Sequence, residues 1–238
     1  MIDMKKNSVM DEARLSKFQP QSATHTPKVI VFRILIVCEG IKTEPNYFHA
    51  FSKKRNGIFV IDMDVDGAGA NTKQVVEKAI ELRDKATIPY DRVWAVFDKD
   101  SFPDVKFNGA IQKAISNGIY VAWSNEAFEL WYLYHFYNRV TAMNRSEYKK
   151  AISKAVNNSP LYKGNPYVYA KNAMDNYEIM RKYGSEDNAI RWAEEKSKEY
   201  SDNRFATHNP CTMVFKLVRQ LNGKDDELNQ WLKEKIDA

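Results

Sequence analysis

Short apolar runs alternate with amphipathic segments through the first 140 residues, and this alternation constrains the fold more than any other feature of the sequence. Four runs have the length and composition of buried strands, at residues 33–38, 58–65, 92–97 and 119–123. Four segments between and after them carry apolar residues at helical spacing, at residues 44–54, 72–85, 105–116 and 126–136. Strands that alternate with helices form right-handed βαβ units. We therefore predict an α/β fold with a mostly parallel four-stranded sheet flanked by helices.

The two ends of the chain differ from this core. Residues 1–28 are polar and show no sustained period, so we interpret them as an N-terminal tail. From Arg145 onward we find no convincing strand, and five segments have helical character: residues 146–156, 167–183, 185–200, 211–221 and 226–236. The predicted organisation is a tail over 1–28, an α/β core over 29–140 and a helical C-terminal region over 141–238 packed on the core.

Composition narrows the class of protein. A hydrophobic content of 44% in 238 residues is enough for a sizeable core and excludes global disorder. The two cysteines, Cys38 and Cys211, are too few for a disulfide framework or a cysteine zinc cluster, and Cys38 is expected to be buried in the first strand. No signal-peptide core or bilayer-spanning run is found, so we expect a soluble cytoplasmic protein without membrane contact. The formal charge of +5 permits a polyanionic partner without requiring one.

Carboxylates follow two of the predicted strands. Glu39 comes directly after the first strand, Glu44 lies shortly beyond it, and Asp98 and Asp100 come directly after the third. Because the carboxyl ends of parallel strands open onto one edge of a sheet, these side chains are expected to converge. Sites rich in oxygen ligands suit Mg²⁺ or Mn²⁺. The sequence therefore predicts a divalent metal site and metal-dependent phosphoryl chemistry.

Each of these residues also has a structural interpretation. Glu39 fits a solvated loop. Glu44 fits the first turn of a helix that Thr43 caps, where an acidic side chain is favourable, and we give this interpretation equal weight. Asp98 and Asp100 fit a polar loop, although their position after a buried strand favours the metal site.

A second acidic series, an aspartate ladder, consists of Asp62, Asp64 and Asp66. It superficially matches the opening of a calcium-binding EF-hand loop, but Lys73 stands where the bidentate glutamate is required. A spacing of two residues instead indicates one polar face of a strand near the edge of the sheet. We interpret the ladder as structural or as outer charge around a site.

One predicted helix carries two polar residues among apolar ones. Glu129 is surrounded in sequence by large apolar residues, and a buried carboxylate needs a cation or hydrogen-bond donors. Its partner is either a bound group or a basic residue such as Arg139 or Lys171. His135, on the same helix, is interpreted as a hydrogen-bonded core residue rather than a ligand.

Four motifs occur in the order found in the RloB-like family, which this sequence resembles. They are Ile36-Val37-Cys38-Glu39-Gly40-x-x-Thr43-Glu44-Pro45-x-Tyr47-Phe48, Phe97-Asp98-x-Asp100, Ser124-Asn125-x-x-Phe128-Glu129-Leu130-Trp131 with His135-Phe136, and Asn209-Pro210-x-Thr212. Together they span nearly all of the chain after the tail. Glu126-Ala127 departs from the Pro-Cys or similar pair expected there, which affects only the start of that helix.

The resemblance implies a Toprim-like fold, as in topoisomerases, primases and overcoming-lysogenization-defect nucleases. It implies that Glu39 is the glutamate of the first strand and that Asp98 and Asp100 are the metal-binding D-x-D. RloB-like proteins are associated with bacterial anti-phage systems and abortive infection, sometimes beside an ATPase, and related Toprim effectors cut nucleic acid, including transfer RNA. The expected function is a Mg²⁺- or Mn²⁺-dependent endonuclease in antiviral defence that binds DNA or RNA. An AAA- or ABC-type ATPase partner and a homo-oligomer are further expectations.

The predicted mechanism gives roles to individual residues. Asp98 and Asp100 hold one cation, Glu44 helps to position a second, and Glu39 ligates metal or acts as general base. Five residues are predicted to bind substrate: Lys42, Asn125, Glu129, Lys171 and Arg204. The basic series formed by Lys42, Lys53, Lys54 and Arg55 could track a phosphate backbone, but a solvated helix face is the simpler explanation.

Two other functions stay open. One is a non-cleaving regulator that binds a metal-nucleotide and signals to an ATPase partner, and the other is a phosphatase that acts on a small molecule. The sequence contains no P-loop and no G-x-S-x-G nucleophile motif that would favour a different chemistry.

Overall fold

The fold is described from a computed structural model, which places residues 30–51, 55–56, 59–69 and 71–237. The elements follow in this order: β1 (Ile30–Cys38), α1 (Thr43–His49), β2 (Arg55–Asn56), β3 (Phe59–Gly67), α2 (Thr72–Lys85), β4 (Arg92–Asp98), α3 (Asp104–Ser116), β5 (Tyr120–Asn125), α4 (Glu129–Tyr134), a 3-10 turn (Arg145–Glu147), α5 (Tyr148–Asn157), α6 (Asn176–Tyr183), α7 (Glu186–Ser197), a second 3-10 turn (Phe205–Thr207), β6 (Cys211–Thr212), α8 (Val214–Leu221) and α9 (Asp226–Asp237). The tail predicted over residues 1–28 lies outside the described residues.

The strands form one sheet in the order β2-β3-β1-β4-β5-β6. The four long strands β3, β1, β4 and β5 are parallel to their neighbours, and β2 and β6 are antiparallel at the two edges. The prediction of an α/β fold with a mostly parallel sheet and a helical C-terminal half is therefore confirmed. The predicted number of four strands was too low, because β2 and β6 have two residues each and are too short to show a periodic pattern.

Both faces of the sheet are buried at its central strands β1 and β4, as their continuous apolar runs indicate. Along β1, Ile34 and Ile36 point into one core, and Leu35 and Val37 point into the other. Helices α2 and α3 cover the second core. Helices α1 and α4 cover the first, together with the C-terminal helices. The helical half of the chain thus packs on one face of the sheet.

Local signals set the boundaries of α2. It spans the predicted residues 72–85, and Asn71 is its N-cap, as predicted. The Asn71 side chain accepts a hydrogen bond from the Gln74 backbone N–H at 3.2 Å, and the Gln74 side chain accepts one from the Asn71 N–H at 3.1 Å. This reciprocal pair satisfies two backbone donors that the first helical turn leaves free.

Two C-terminal predictions were wrong. Cys211 and Thr212 form β6 beside Asn125 and Ser124, so a strand does follow Arg145. Helix α8 begins only at Val214, and not at residue 211 as predicted. The cause is a long-range contact, since the hydroxyls of Thr212 and Ser124 lie 2.7 Å apart and hold the segment on the sheet.

The helix predicted over residues 167–183 is helical only from Asn176. Side chains of α5 bind the backbone upstream of it. The Tyr167 N–H donates to Asn157 Oδ1 at 2.8 Å, and the Tyr169 N–H donates to Ser153 Oγ at 2.9 Å. These bonds satisfy backbone donors without a helix, so tertiary contacts override the local pattern.

The aspartate ladder formed by Asp62, Asp64 and Asp66 lies on a strand, as predicted, and we call it the β3 ladder. Arg33 on β1 is the register partner of Asp62, and its Nε lies 2.9 Å from Asp62 Oδ2. Asp64 accepts a hydrogen bond from the Tyr90 hydroxyl at 2.6 Å. The side chains of Asp62 and Asp64 are about half exposed. The ladder is thus a solvated polar face with its own partners.

Both cysteines are free and buried, and the burial of Cys38 was predicted. Among the helices of the described residues, none is both long and apolar enough to cross a bilayer.

Candidate functional site

Glu39 and Asp98 meet at the carboxyl end of the sheet. The Glu39 N–H donates to the Val96 carbonyl at 2.8 Å, which continues the pairing of β1 with β4 by one residue. One Glu39 carboxylate oxygen, Oε2, then accepts a hydrogen bond from the Asp98 N–H at 3.0 Å. Residues that are 59 positions apart in sequence are joined because their strands are neighbours.

A pocket of about 400 Å³ lies at the carboxyl end of the sheet. Its lining residues are Glu39, Gly40, Ile41, Lys42, Thr43, Glu44, Asp98, Asp100, Arg145, Lys171 and Asn172. The structure thus brings together the four predicted metal ligands, which we call the pocket carboxylates (Glu39, Glu44, Asp98 and Asp100). It adds two of the predicted substrate-binding residues, Lys42 and Lys171.

Glu44 is both a helix-start residue and a pocket residue. It lies in the first turn of α1, is only 4% exposed and accepts a hydrogen bond from its own backbone N–H. Its Oε2 is buried without a hydrogen-bond partner. Gly40 makes room for this carboxylate, since a Cβ at residue 40 would overlap Glu44 Oε2. The absence of a side chain at Gly40 therefore allows the Glu44 carboxylate to lie close to the backbone of residue 40.

Arg145 pairs with the D-x-D motif. Its Nη1 lies 2.5 Å from Asp100 Oδ2, and its Nη2 lies 3.8 Å from Asp98 Oδ2. Asp98 is buried, whereas the Asp100 side chain is 45% exposed. Arg145 comes from the helical half of the chain, and sequence reasoning missed it because nothing in its local sequence distinguishes it from other arginines.

Glu129 lies behind the pocket and has two partners. The Tyr169 hydroxyl donates to its Oε1 at 3.2 Å, and the Lys171 ammonium lies 3.7 Å from the same atom. Lys171 is therefore the basic partner, while Arg139 donates to the Ala142 carbonyl instead. The second carboxylate oxygen of Glu129, Oε2, is buried without a hydrogen-bond partner.

Burial and mutual repulsion raise the pKa of three carboxyl groups. Burial raises the pKa of Asp98 well above its usual range, and the charges of Glu44 and Glu129 raise it further. Burial likewise raises the pKa of Glu44. The pKa of Glu39 is raised by burial to about 6, although the hydrogen bond from the Asp98 N–H opposes the shift. A cation among these groups would favour their charged forms.

The donor types fit a hard divalent cation, but the side chains as arranged do not form a coordination shell. Within the described residues, no three His, Cys, Asp or Glu side chains are grouped closely enough to hold an ion. In favour of a cation, the pocket carboxylates offer the oxygen ligands that Mg²⁺ and Mn²⁺ prefer. The Oε2 atoms of Glu44 and Glu129 are also buried without a hydrogen-bond donor.

Besides Glu129, two further predicted substrate-binding residues lie away from the pocket lining. Asn125 is buried, and its amide donates to the Ala206 carbonyl at 2.9 Å, which holds the second 3-10 turn. Arg204 is 76% exposed and pairs with Asp202 at 2.7 Å. The position of each is explained by these local contacts, and neither lines the pocket.

The sequence analysis also singled out His135 and a series of basic residues. His135 is a core residue, as interpreted, with Nδ1 3.0 Å from the Trp131 carbonyl and a pKa lowered by burial to about 4. Lys53 and Lys54 lie outside the described residues, and so does the side chain of Arg55.

A family model described as RloB-like protein matches residues 34–221. This stretch contains every residue that lines the pocket and most of the 238-residue chain. No curated protein and no solved structure matches the chain.

Proposed function

The chain belongs to the RloB-like family, and from this premise we propose that it is a Mg²⁺- or Mn²⁺-dependent phosphodiester hydrolase that cleaves nucleic acid. The observation that carries the proposal is the contact between Glu39 and the backbone of Asp98 at 3.0 Å. It supports a common site for acids that follow two different strands, as metal-dependent phosphoryl transfer requires. A Toprim-like fold is part of the same proposal, since the acids follow β1 and β4 in the order that the family resemblance implies.

The pocket carboxylates have separate proposed roles. Asp98 and Asp100 would hold a divalent cation, and Glu44 would position a second. When bound, such a cation supplies Lewis-acid chemistry at the phosphate and makes water more acidic. The burial of Asp98 and Glu44, at 5% and 4% exposure, limits competition from bulk water at these ligands.

Glu39 is proposed as the general base, with metal ligation as its alternative role. Its pKa of about 6 leaves it mostly ionised at pH 7 while keeping it basic enough to take a proton from water. The hydrogen bond from the Asp98 N–H occupies Oε2 and fixes the carboxylate. The other oxygen, Oε1, would then receive the proton.

Lys171 is proposed to bind a phosphate of the substrate. Its side chain is 44% exposed in the pocket, and Glu129 lies 3.7 Å from its ammonium group. Glu129, itself held by the Tyr169 hydroxyl, would position Lys171 rather than touch the substrate. Lys42, which is exposed at the same pocket, is the second candidate for phosphate contact.

The biological setting follows from family membership alone. We propose a cytoplasmic role in antiviral defence, with DNA or RNA as substrate and an ATPase as partner. A homo-oligomer is part of this proposal.

The direct test is incubation of the purified chain with transfer RNA, plasmid or single-stranded DNA, in Mn²⁺, Mg²⁺ or chelator. We expect cleavage that the chelator abolishes. Glu39→Gln and Asp100→Asn should reduce it by at least about 100-fold with little change in melting temperature. Asp64→Asn in the β3 ladder removes the same kind of charge outside the pocket, and should cleave at the wild-type rate.

Three outcomes would contradict the proposal or favour one of the two other functions. Wild-type rates in Glu39→Gln or Asp100→Asn would remove the proposal. Release of inorganic phosphate from small substrates, without nicking of nucleic acid, would support the phosphatase. Nucleotide binding without turnover would support the non-cleaving regulator of an ATPase.

A further inference from the structure

Arg145 lies where a cation between Asp98 and Asp100 would also have to lie. Its guanidinium contacts Asp100 at 2.5 Å and Asp98 at 3.8 Å, through different nitrogens. One cationic group therefore already contacts both members of the proposed metal-binding pair. A divalent ion that uses the same carboxylate oxygens competes directly with this guanidinium.

The backbone of Arg145 is anchored, whereas its side chain is partly exposed to solvent. The Arg145 N–H donates to Glu126 Oε2 at 3.1 Å, and Asn144 caps the 3-10 turn that Arg145 begins. The side chain is 37% exposed and lines the pocket. A long side chain on a fixed backbone can change partners without any change in the fold.

The other basic side chain that lines the pocket with a carboxylate partner, Lys171, pairs with a different residue. Lys171 pairs with Glu129, which lies behind the pocket and outside the D-x-D motif. A cation that enters between Asp98 and Asp100 therefore leaves Lys171 with its partner and displaces only Arg145 from its own.

We propose that Arg145 is an exchangeable counter-ion of the D-x-D motif, which moves to a phosphate of the substrate when a divalent cation takes the two carboxylates. This inference rests on the proposed function, since it needs a divalent cation at Asp98 and Asp100. No covalent step is involved. The forked guanidinium matches phosphate oxygens as well as it matches carboxylates, so the exchanged side chain keeps a charged partner.

The exchange has two measurable consequences. Removal of Arg145 should strengthen binding of the cation, because a competitor for the same oxygens is lost. Removal should also break the coupling between cation and phosphate. In the wild type each ligand favours the other through Arg145, and such coupling is reciprocal by thermodynamic necessity.

The test is a Mn²⁺ titration, followed by electron paramagnetic resonance of the free ion, on full-length wild type, Arg145→Gln and Arg145→Lys. We expect Arg145→Gln to bind Mn²⁺ about tenfold more tightly than wild type. Arg145→Lys, which keeps the charge, should lie between them. Lys149→Gln is the matched control: it removes one positive charge from an exposed position four residues away, and it should bind Mn²⁺ as the wild type does.

A second titration includes thymidine monophosphate, which carries a phosphate but has no phosphodiester bond to cleave. It should tighten Mn²⁺ binding to wild type by several-fold more than to Arg145→Gln. Equal enhancement in both proteins would overturn the transfer of Arg145 to phosphate.

The remaining outcomes separate this inference from the proposed function. Equal or weaker Mn²⁺ binding by folded Arg145→Gln would overturn the counter-ion role and leave the metal site in place. Absence of Mn²⁺ binding in every protein would overturn both. Circular dichroism spectra and melting temperatures in chelator establish that each variant is folded, and Arg145→Lys gives a second measurement if Arg145→Gln does not fold.

Discussion

The two acidic series of this chain, the β3 ladder and the pocket carboxylates, contain the same chemical groups in very different surroundings. The ladder lies along a strand, is solvated, and finds partners in Arg33 and Tyr90. The pocket carboxylates lie at or just beyond strand ends, where Glu44 and Asp98 are buried and burial raises their pKa.

This difference shows that the chemistry of an acidic residue depends on whether it lies along a strand or beyond the end of one. Along a strand, every second side chain lies on one face and can pair with a neighbouring strand. Beyond the end of a parallel strand, side chains from several strands converge on one volume. Carboxylates gathered there raise one another's pKa unless a cation is present. Four predictions test this contrast, from the largest expected effect to the smallest.

Divalent cations should stabilise the protein through the pocket and not through the ladder. At a Mn²⁺ concentration 100 times the dissociation constant, the expected gain in the free energy of unfolding is about 2.7 kcal/mol. Asp98→Asn should lose this gain, and Asp64→Asn should keep it. Thermal unfolding in Mn²⁺ and in chelator measures both, and loss of the gain in Asp64→Asn would contradict the contrast.

Without metal, the same two substitutions should have opposite effects on stability. Asp98→Asn at pH 7 replaces a buried carboxylate with a neutral amide and should raise the free energy of unfolding by about 1–2 kcal/mol. Asp64→Asn removes a solvated ion pair and should lower it by about 0.5 kcal/mol. Urea unfolding in chelator gives both values, and destabilisation by Asp98→Asn would show that its pairing with Arg145 outweighs the repulsion.

A methyl group at Gly40 should disturb the pocket without disturbing the fold. Because a Cβ there overlaps Glu44 Oε2, Gly40→Ala should displace that carboxylate and weaken Mn²⁺ binding about tenfold. Gly109→Ala is the matched control. Its Cβ meets nothing within 4 Å on α3, so it should leave Mn²⁺ binding unchanged and stabilise the helix by about 0.5–1 kcal/mol.

In chelator, the stability of the protein should depend on pH in the direction that the raised pKa of Glu39 predicts. Glu39 has a pKa of about 6 in the folded protein against about 4.5 for an ordinary glutamate, so between these values the folded state binds more protons. The contribution of Glu39 to the free energy of unfolding is therefore fully present below pH 4.5, and it is lost as the pH rises through 6. We expect about 1 kcal/mol after allowance for solvent screening. The difference between wild type and Glu39→Gln isolates it, and a difference that grows in the wild type's favour with rising pH would contradict the assignment.

The sequence predicted those parts of the fold that local pattern determines. The four long strands and the bounds of α2 follow from apolar runs, helical spacing and the Asn71 cap. Strand β6 and the irregular segment before α6 were missed because long-range contacts create them. Ser124 holds Thr212 on the sheet, and side chains of α5 bind the backbone near Tyr169.

The candidate site likewise contains some residues that the sequence could predict and others that it could not. The positions of Glu39 and Asp98 could be predicted because a strand end is a local feature and parallel strands share an edge. Arg145 could not, because only the packing of the helical half brings it to that edge. Asn125 carried a family motif but binds the Ala206 carbonyl rather than lining the pocket.

The ladder also has a consequence for self-association. Among the described residues, β3 is the last long strand on its side of the sheet, and β2 pairs with Phe59 and Val60 alone. The length of β3 beyond this pairing is where another polypeptide would add a strand, and charged side chains on such a border discourage it. Two copies joined border to border would set one row of aspartates against another, and like charges across paired strands repel. Copies of this chain that associate should therefore avoid pairing along this border of the sheet.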